Sequence, residues 1–216
     1  MRQKWLALAG LVVALPALAQ PVPRVRGKVL SFDGKLLILQ PDGTTADADW
    51  LRVAVRPDTR YVVTGPSRMK DIKSGEFAGA AVTAGADGKL LAQEVHVYPN
   101  PLRGSGEGRF ADAKPGRVMI NGTVATAEDG VLTLRYRGAG LKNGVCEGRM
   151  PVPIKPDSCA GDATIAVAPS APVTRLSMAD PKAVTPGAMA VVSVARTPDG
   201  AKVTPGLIIE KVQPPS

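Results

Sequence analysis

Between residues 103 and 109 the chain reads Arg-Gly-Ser-Gly-Glu-Gly-Arg. Successive backbone N–H groups in a loop of this kind can cradle an anion. Arg103 and Arg109 would add positive charge, and Glu107 would pair with an arginine. The run is not G-x-x-x-x-G-K-[ST], and no strand-to-helix junction surrounds it, so it is not a nucleotide-phosphate loop. A second basic run, Arg135-Tyr136-Arg137, lies in an alternating stretch that puts both arginines on one strand face. Arg103, Glu107, Arg109, Arg135 and Arg137 are therefore the candidate ligand-binding residues, and the ligand they suit is an anionic group or a glycan. Trp50, Arg52, Arg56, Arg60 and Tyr61 form a further Arg/aromatic stretch. There Arg52 and Arg56 share a face with each other but not with Tyr61, as on an ordinary solvated strand. Nucleic-acid binding needs aromatics stacked over a basic groove, so nucleic acid is not an expected partner.

Other chemistries lack their residues. The chain has one histidine and two cysteines, which excludes a multi-His or multi-Cys metal cage. His96, between Val95 and Val97, points outward beside Glu94 and Tyr98 if the valines face inward. Met69, Met119, Met150, Met178 and Met189 are dispersed and read as packing residues. No G-x-S-x-G, H-E-x-x-H or S-x-x-K occurs, and no spacing singles out a carboxylate pair. The expectation is a protein that is not an enzyme, with no metal and no cofactor.

The N-terminus sets the compartment. Arg2 and Lys4 precede an apolar run from Trp5 to Leu18, too short to span a bilayer, and Ala17-Leu18-Ala19 is an A-x-A cleavage site. Residues 1–19 read as a cleaved signal peptide for export to the periplasm, with no membrane span in the mature chain. Its removal takes away two positive charges, lowering the formal charge from +8 to +6. Charges are scattered rather than gathered in a tail. In an oxidising compartment Cys146 and Cys159 read as a disulfide. A redox-active pair is the sharper alternative, without the C-x-x-C spacing such pairs use.

The elements that must position these residues come as an internal repeat. Val25-Arg-Gly-Lys-Val29 matches Ile120-Asn-Gly-Thr-Val124, and each is followed by Asp-Gly, at 33–34 and 129–130. Leu36-Leu-Ile38 then matches Leu132-Thr-Leu134, Val55-Arg-Pro-Asp58 matches Ile154-Lys-Pro-Asp157, and Ile72-Lys-Ser-Gly75 matches Val184-Thr-Pro-Gly187. The offset grows along the chain, which places a larger insertion after Asp157 in the second copy, opened by Cys159. Alternation of apolar and polar residues predicts half-buried antiparallel strands, Asp-Gly predicts hairpin turns, and 66–75 predicts a short helical turn capped by Ser67 and ended by Gly75.

Each copy thus holds three strands, a short helix or turn, and two strands. The expected fold is all-β, two tandem small OB-like antiparallel barrels. Residues 20–99 would form the first barrel, 100–116 a Gly-rich connector, and 117–216 the second barrel with its disulfide-pinned insertion.

Glu94-Val-His-Val-Tyr-Pro99, Leu102-Arg-Gly-Ser-Gly-Glu-Gly-Arg109 and Met119-Ile-Asn-Gly-Thr-Val124 together resemble a bacterial family of exported proteins of unknown function, built from tandem OB-like domains. Arg-Gly-x-Gly-Glu-Gly at 103–108 is the most specific part. Where that family places a His and a Trp after this core, the present chain has Arg109 and Phe110. The resemblance implies a fold and a compartment, not a reaction. The function expected is that of a non-catalytic periplasmic accessory or interaction module that docks an envelope protein. The second reading is a binder of anionic ligands or glycans through basic strand faces.

Overall fold

Strand formation follows the alternation. Across Val131–Gly138, Leu132, Leu134 and Tyr136 are buried while Thr133, Arg135 and Arg137 point outward, the period of a strand with one wet face. The computed structural model describes residues 23–210 except 86, 113 and 152; the expected signal peptide at 1–19 lies outside the described residues. Over these residues the chain is all-β. Its strands are β1 (Arg24–Phe32), β2 (Leu36–Pro41), β3 (Leu51–Ser67), β4 (Phe77–Ala84), β5 (Leu90–Tyr98), β6 (Gly108–Ala111), β7 (Val118–Glu128), β8 (Val131–Gly138), β9 (Gly140–Lys142), β10 (Val145–Arg149), β11 (Cys159–Ala166), β12 (Val173–Met178), β13 (Met189–Ser193), β14 (Ala195–Arg196) and β15 (Lys202–Glu210). Helical structure is limited to three-residue 3-10 turns among the described residues. No helix among them is long and apolar enough to cross a membrane.

Five strands close a barrel in the order β1-β2-β3-β15-β13, back to β1. A second cycle of pairings runs β7-β8-β11-β5-β4, back to β7. Neither cycle comes from one half of the chain. The segment 20–99, expected as one barrel, places β1–β3 in the first cycle and β4–β5 in the second. The segment 117–216 divides in the mirror sense. The halves have exchanged their last two long strands. Each cycle encloses its own core: Val29, Leu37, Leu39, Val53, Ala190, Val192 and Leu207 in the first, and Val95, Val97, Ile120, Leu132, Leu134 and Ile165 in the second. β12 joins them, antiparallel to β3 and parallel to β5.

The two cycles share their register. Val25 opposite Val192 in the first corresponds to Ile120 opposite Ala80 in the second. Tyr61 beside Leu207 corresponds to Val173 beside Val95. Residues of β1 and β2 therefore map onto β7 and β8 at an offset of 95, and later strands at 112. Gly27 and Gly122 are equivalent under this mapping. A Cβ on either would strike the facing carbonyl oxygen, that of Gln40 or Arg135. The glycines shared by Val-Arg-Gly-Lys-Val and Ile-Asn-Gly-Thr-Val exist for this close approach.

Several sequence expectations are corrected. Leu37 and Leu39, not Leu36 and Ile38, occupy the positions of Leu132 and Leu134, because the wholly buried pairs Leu37–Val53 and Leu132–Ile165 are equivalent. The Pro-Asp landmark does not hold. Pro57 and Asp58 lie within β3, whereas Pro156 and Asp157 precede β11. The change from 95 to 112 falls between β8 and β11, so the insertion lies before Cys159 rather than after it. It forms the β9–β10 hairpin and the loop that follows. The turn at 66–75 is a 3-10 turn at Met69–Asp71; Ser67 ends β3, and no side chain caps the turn.

Cys146 and Cys159 form the disulfide, with Cα atoms 5.6 Å apart. It ties the inserted hairpin to the first residue of β11. Gly138 and Gly161 leave room beside Cys146, and the Tyr136 hydroxyl donates to the Cys146 carbonyl at 3.0 Å.

The exchange predicts that a chain ending at residue 112 gives the poorly dispersed amide NMR spectrum of an unfolded protein, since β13 and β15 are missing. A well-dispersed spectrum would contradict it. Replacing both cysteines with alanine should cost about 3 kcal/mol, from the loop-closure entropy of a loop this size. In a thermal melt that is a fall of roughly 6–12 °C for a domain of this length.

Candidate functional site

The glycine-rich run is a strap, not an interdomain connector. After β5 the chain makes a 3-10 turn at Asn100–Leu102. Leu102 is buried with Val62 and Leu176, against Tyr98 and Ile208, where the two barrels meet. The chain then crosses the outer face of the second cycle and pairs as β6 with β7, and β6 in turn receives β10. Gly104, Gly106 and Gly108 all take positive φ, a conformation open to glycine without steric cost. Polar side chains pin the strap. Asn121 Nδ2 donates to the Gly106 carbonyl at 2.9 Å. Its Oδ1 is buried without a partner and lies where a Cβ on Gly79 would sit.

Under the strap lies a cleft of about 540 Å³ lined by Phe77, Arg103, Glu107, Thr123, Arg135 and Arg137, among others. Four of the five sequence candidates thus share one cavity. The strap supplies Arg103 and Glu107, and the outward positions of β8 supply Arg135 and Arg137. Arg109 is not among the lining residues; it sits on β6 between Ile120 and Gly148.

Each charge in the cleft is held differently. Glu107, 8% exposed, accepts from the Arg137 backbone N–H at 3.0 Å, from Nε at 3.1 Å and from Nη2 at 2.8 Å. That hydrogen bonding holds the Arg137 guanidinium above its ordinary pKa. Arg135 meets Asp162 on β11 at 3.3 Å, both side chains largely exposed, a contact worth little in water. Arg103 donates to the Gly75 carbonyl at 2.8 Å and to Thr123 Oγ1 at 3.2 Å. No carboxylate pairs with it among the described residues. A guanidinium carries five N–H donors, so three remain for a ligand.

The same face of the first barrel is built to satisfy itself. Arg26, equivalent to Asn121, binds Asp42 at 2.6 Å and Glu210 at 2.7 Å. Arg56 is turned onto Asp58, and Arg52 stacks over Trp50 at 5.9 Å. A larger, mostly apolar cleft of about 750 Å³, lined by Leu91, Val167 and Val173 among others, opens at the seam between β5 and β11. At the matching seam the Thr59 hydroxyl bonds the Thr204 carbonyl at 2.7 Å; here Ala171 and Ala92 occupy those positions.

His96 faces outward from β5. Its Nδ1 lies 2.6 Å from Thr174 Oγ1 on β12, and its Nε2 is 3.7 Å from Glu94. Glu94 also pairs with Arg117, which holds Asp112 as well. Sequence reasoning missed this cluster, since Arg117 and Thr174 carry no local signal. Groups of three or more His, Cys, Asp or Glu able to hold a metal are absent among the described residues.

Burial pushes the His96 pKa below its ordinary value, with Arg117 and Arg24 acting in the same direction and Glu94 against it. The unfolded chain then binds the proton more readily than the folded one. The His96 contribution is full above about pH 6.5 and is lost as pH falls through the lowered folded value. His96→Gln should therefore flatten the fall in melting temperature between about pH 7 and pH 5, as read by circular dichroism; an unchanged profile would contradict this. No protein-family model, curated protein or solved structure matches the chain.

Proposed function

We propose that the chain is a non-catalytic accessory module of the bacterial periplasm that acts by binding, and that it takes an anionic group in the arginine cleft. The observation that carries this reading is Arg103, a guanidinium anchored from behind, facing a cavity and, among the described residues, lacking a carboxylate of its own. The cyclic strand order supports an OB-like assignment for both barrels, with four antiparallel contacts and one parallel contact in each. In OB folds the second and third strands present the ligand face, and here β8 and β11 carry Arg135 and Asp162. The repeated register supports an internal duplication. The disulfide and the Ala17-Leu18-Ala19 signal support export.

One observation favours a protein partner as well. Leu141, Val145 and Ile154, respectively 71%, 37% and 63% exposed, all lie on the disulfide-pinned insertion. An envelope protein docking there would cover them. A photo-crosslinker at position 141 tests it in intact cells: an adduct is expected there, and Ile154→Glu in the same chain should abolish it.

For the cleft, a thermal-shift series with polygalacturonate and dextran sulfate should show a stabilising shift at low salt. The shift should shrink as salt screens the approach. Arg135→Glu, at an exposed position that the fold does not need, should reduce it severalfold. No shift with either polymer, or one that Arg135→Glu leaves intact, would remove the reading.

A further inference from the structure

Resting on the reading that the arginine cleft binds an anion, we propose that its ligand is an acidic sugar, a hexuronate unit whose carboxylate is gripped by Arg103. Charge sets the first limit. The three arginines of the cleft face two carboxylates among the described residues, Glu107 on Arg137 and Asp162 beside Arg135, which leaves a net charge of +1. That balance matches a monoanion rather than a phosphate dianion. Geometry sets the second. The hydrogen bonds to Gly75 and Thr123 fix the plane of the Arg103 fork, and a planar fork fits a planar carboxylate with two parallel bonds. The same face already binds one carboxylate in this way, that of Glu107 on Arg137.

Size and surroundings set the body of the ligand. A carboxylate alone would leave most of the 540 Å³ empty, whereas a ring-sized body fits a cavity of this order. A nucleobase would need an exposed aromatic face. Phe77 and Tyr136, 3% and 2% exposed, offer none. An acidic peptide would dock most readily by adding to a free strand edge. The strand that carries Arg135 and Arg137 offers none, since β8 is paired with β11 along its length and with β7 up to Arg135, and the Arg137 N–H is taken by Glu107. What remains on offer is one anchored fork beside the Thr123 hydroxyl, which suits a hydroxylated ring with one acid group.

Isothermal titration of the mature, disulfide-bonded protein tests this with four probes: trigalacturonate, its methyl ester, tetraglutamate and dextran sulfate. Trigalacturonate should bind saturably and its ester should not. Arg103→Gln should weaken binding about tenfold or more, and Arg103→Lys, which keeps the charge but loses the fork, should also weaken it. Lys35→Gln, on an exposed turn of the other barrel, should leave it unchanged. Melting temperature and near-ultraviolet circular dichroism check that each variant is folded. Equal binding of the ester, or wild-type affinity in folded Arg103→Gln, would overturn the proposal. Arg103-dependent binding of tetraglutamate or dextran sulfate alone would overturn the acidic sugar while leaving the anion cleft. Binding of none of the probes would remove both.

Discussion

Closure of each barrel depends on two strands supplied by the opposite half of the chain. Parallel pairing of β15 with β3, and of β5 with β11, is the seam that completes each ring. β12 locks the two seams side by side by pairing with β3 and β5 together. The fully buried residues Leu37, Leu39 and Val53 need Val192 and Leu207 from the other end of the sequence to be covered. A small barrel buries too little surface to be robust alone. Exchange makes the stability of each barrel conditional on the other, and gives the pair a shared contact at Val62, Leu176 and Leu102.

The strap depends on that arrangement. Because β4 and β5 have crossed into the second barrel, the segment leaving β5 emerges directly over the outer face of β7 and β8. There the backbone of residues 108–111 finds a ladder, and Glu107 finds Arg137. The first barrel has no such covering among the described residues. Its equivalent positions are filled instead by the Arg26–Asp42–Glu210 cluster. Two barrels with one register thus carry different faces, one sealed by its own ion pairs and one roofed by a loop that leaves Arg103 without a carboxylate among the described residues. The insertion tied down by Cys146 and Cys159 lies on the roofed side, where β10 pairs with β6 and Met150 N–H donates to the Glu107 carbonyl at 2.8 Å.

Much of this was legible in the residues, and the rest was hidden for definite physical reasons. Val25-Arg-Gly-Lys-Val29 and Ile120-Asn-Gly-Thr-Val124 were matched by their alternation and by a glycine that a close approach requires. The grouping of Arg135 with Arg137 followed from a period of two, and the cysteine pair from compartment and number. Periodicity tells which face a residue occupies, not which strand lies beside it, so the exchange of β4–β5 for β13–β15 left no trace. Val55-Arg-Pro-Asp58 and Ile154-Lys-Pro-Asp157 agreed by composition alone and misplaced the insertion. The run from Gly104 to Gly108 reads as a loop because glycine favours turns. Only Gly108 at its end enters β6, through backbone pairing that side-chain identity does not report. Arg109, adjacent in sequence to the motif, was carried away from the cleft by the strand direction of β6.

The strand exchange also bears on connectivity. Arg26, near the start of β1, bonds Glu210 at the end of β15, so the two ends of the described chain lie close together. Joining those ends and opening the chain between β3 and β4 would change the strand order without changing a single pairing. The new order would begin with β4, β5, β7, β8 and β11 and finish with β13, β15, β1, β2 and β3. Each barrel would then be one uninterrupted stretch. The intertwined protein and a simple string of two barrels are therefore the same object cut at different points, and a circular permutation converts one into the other.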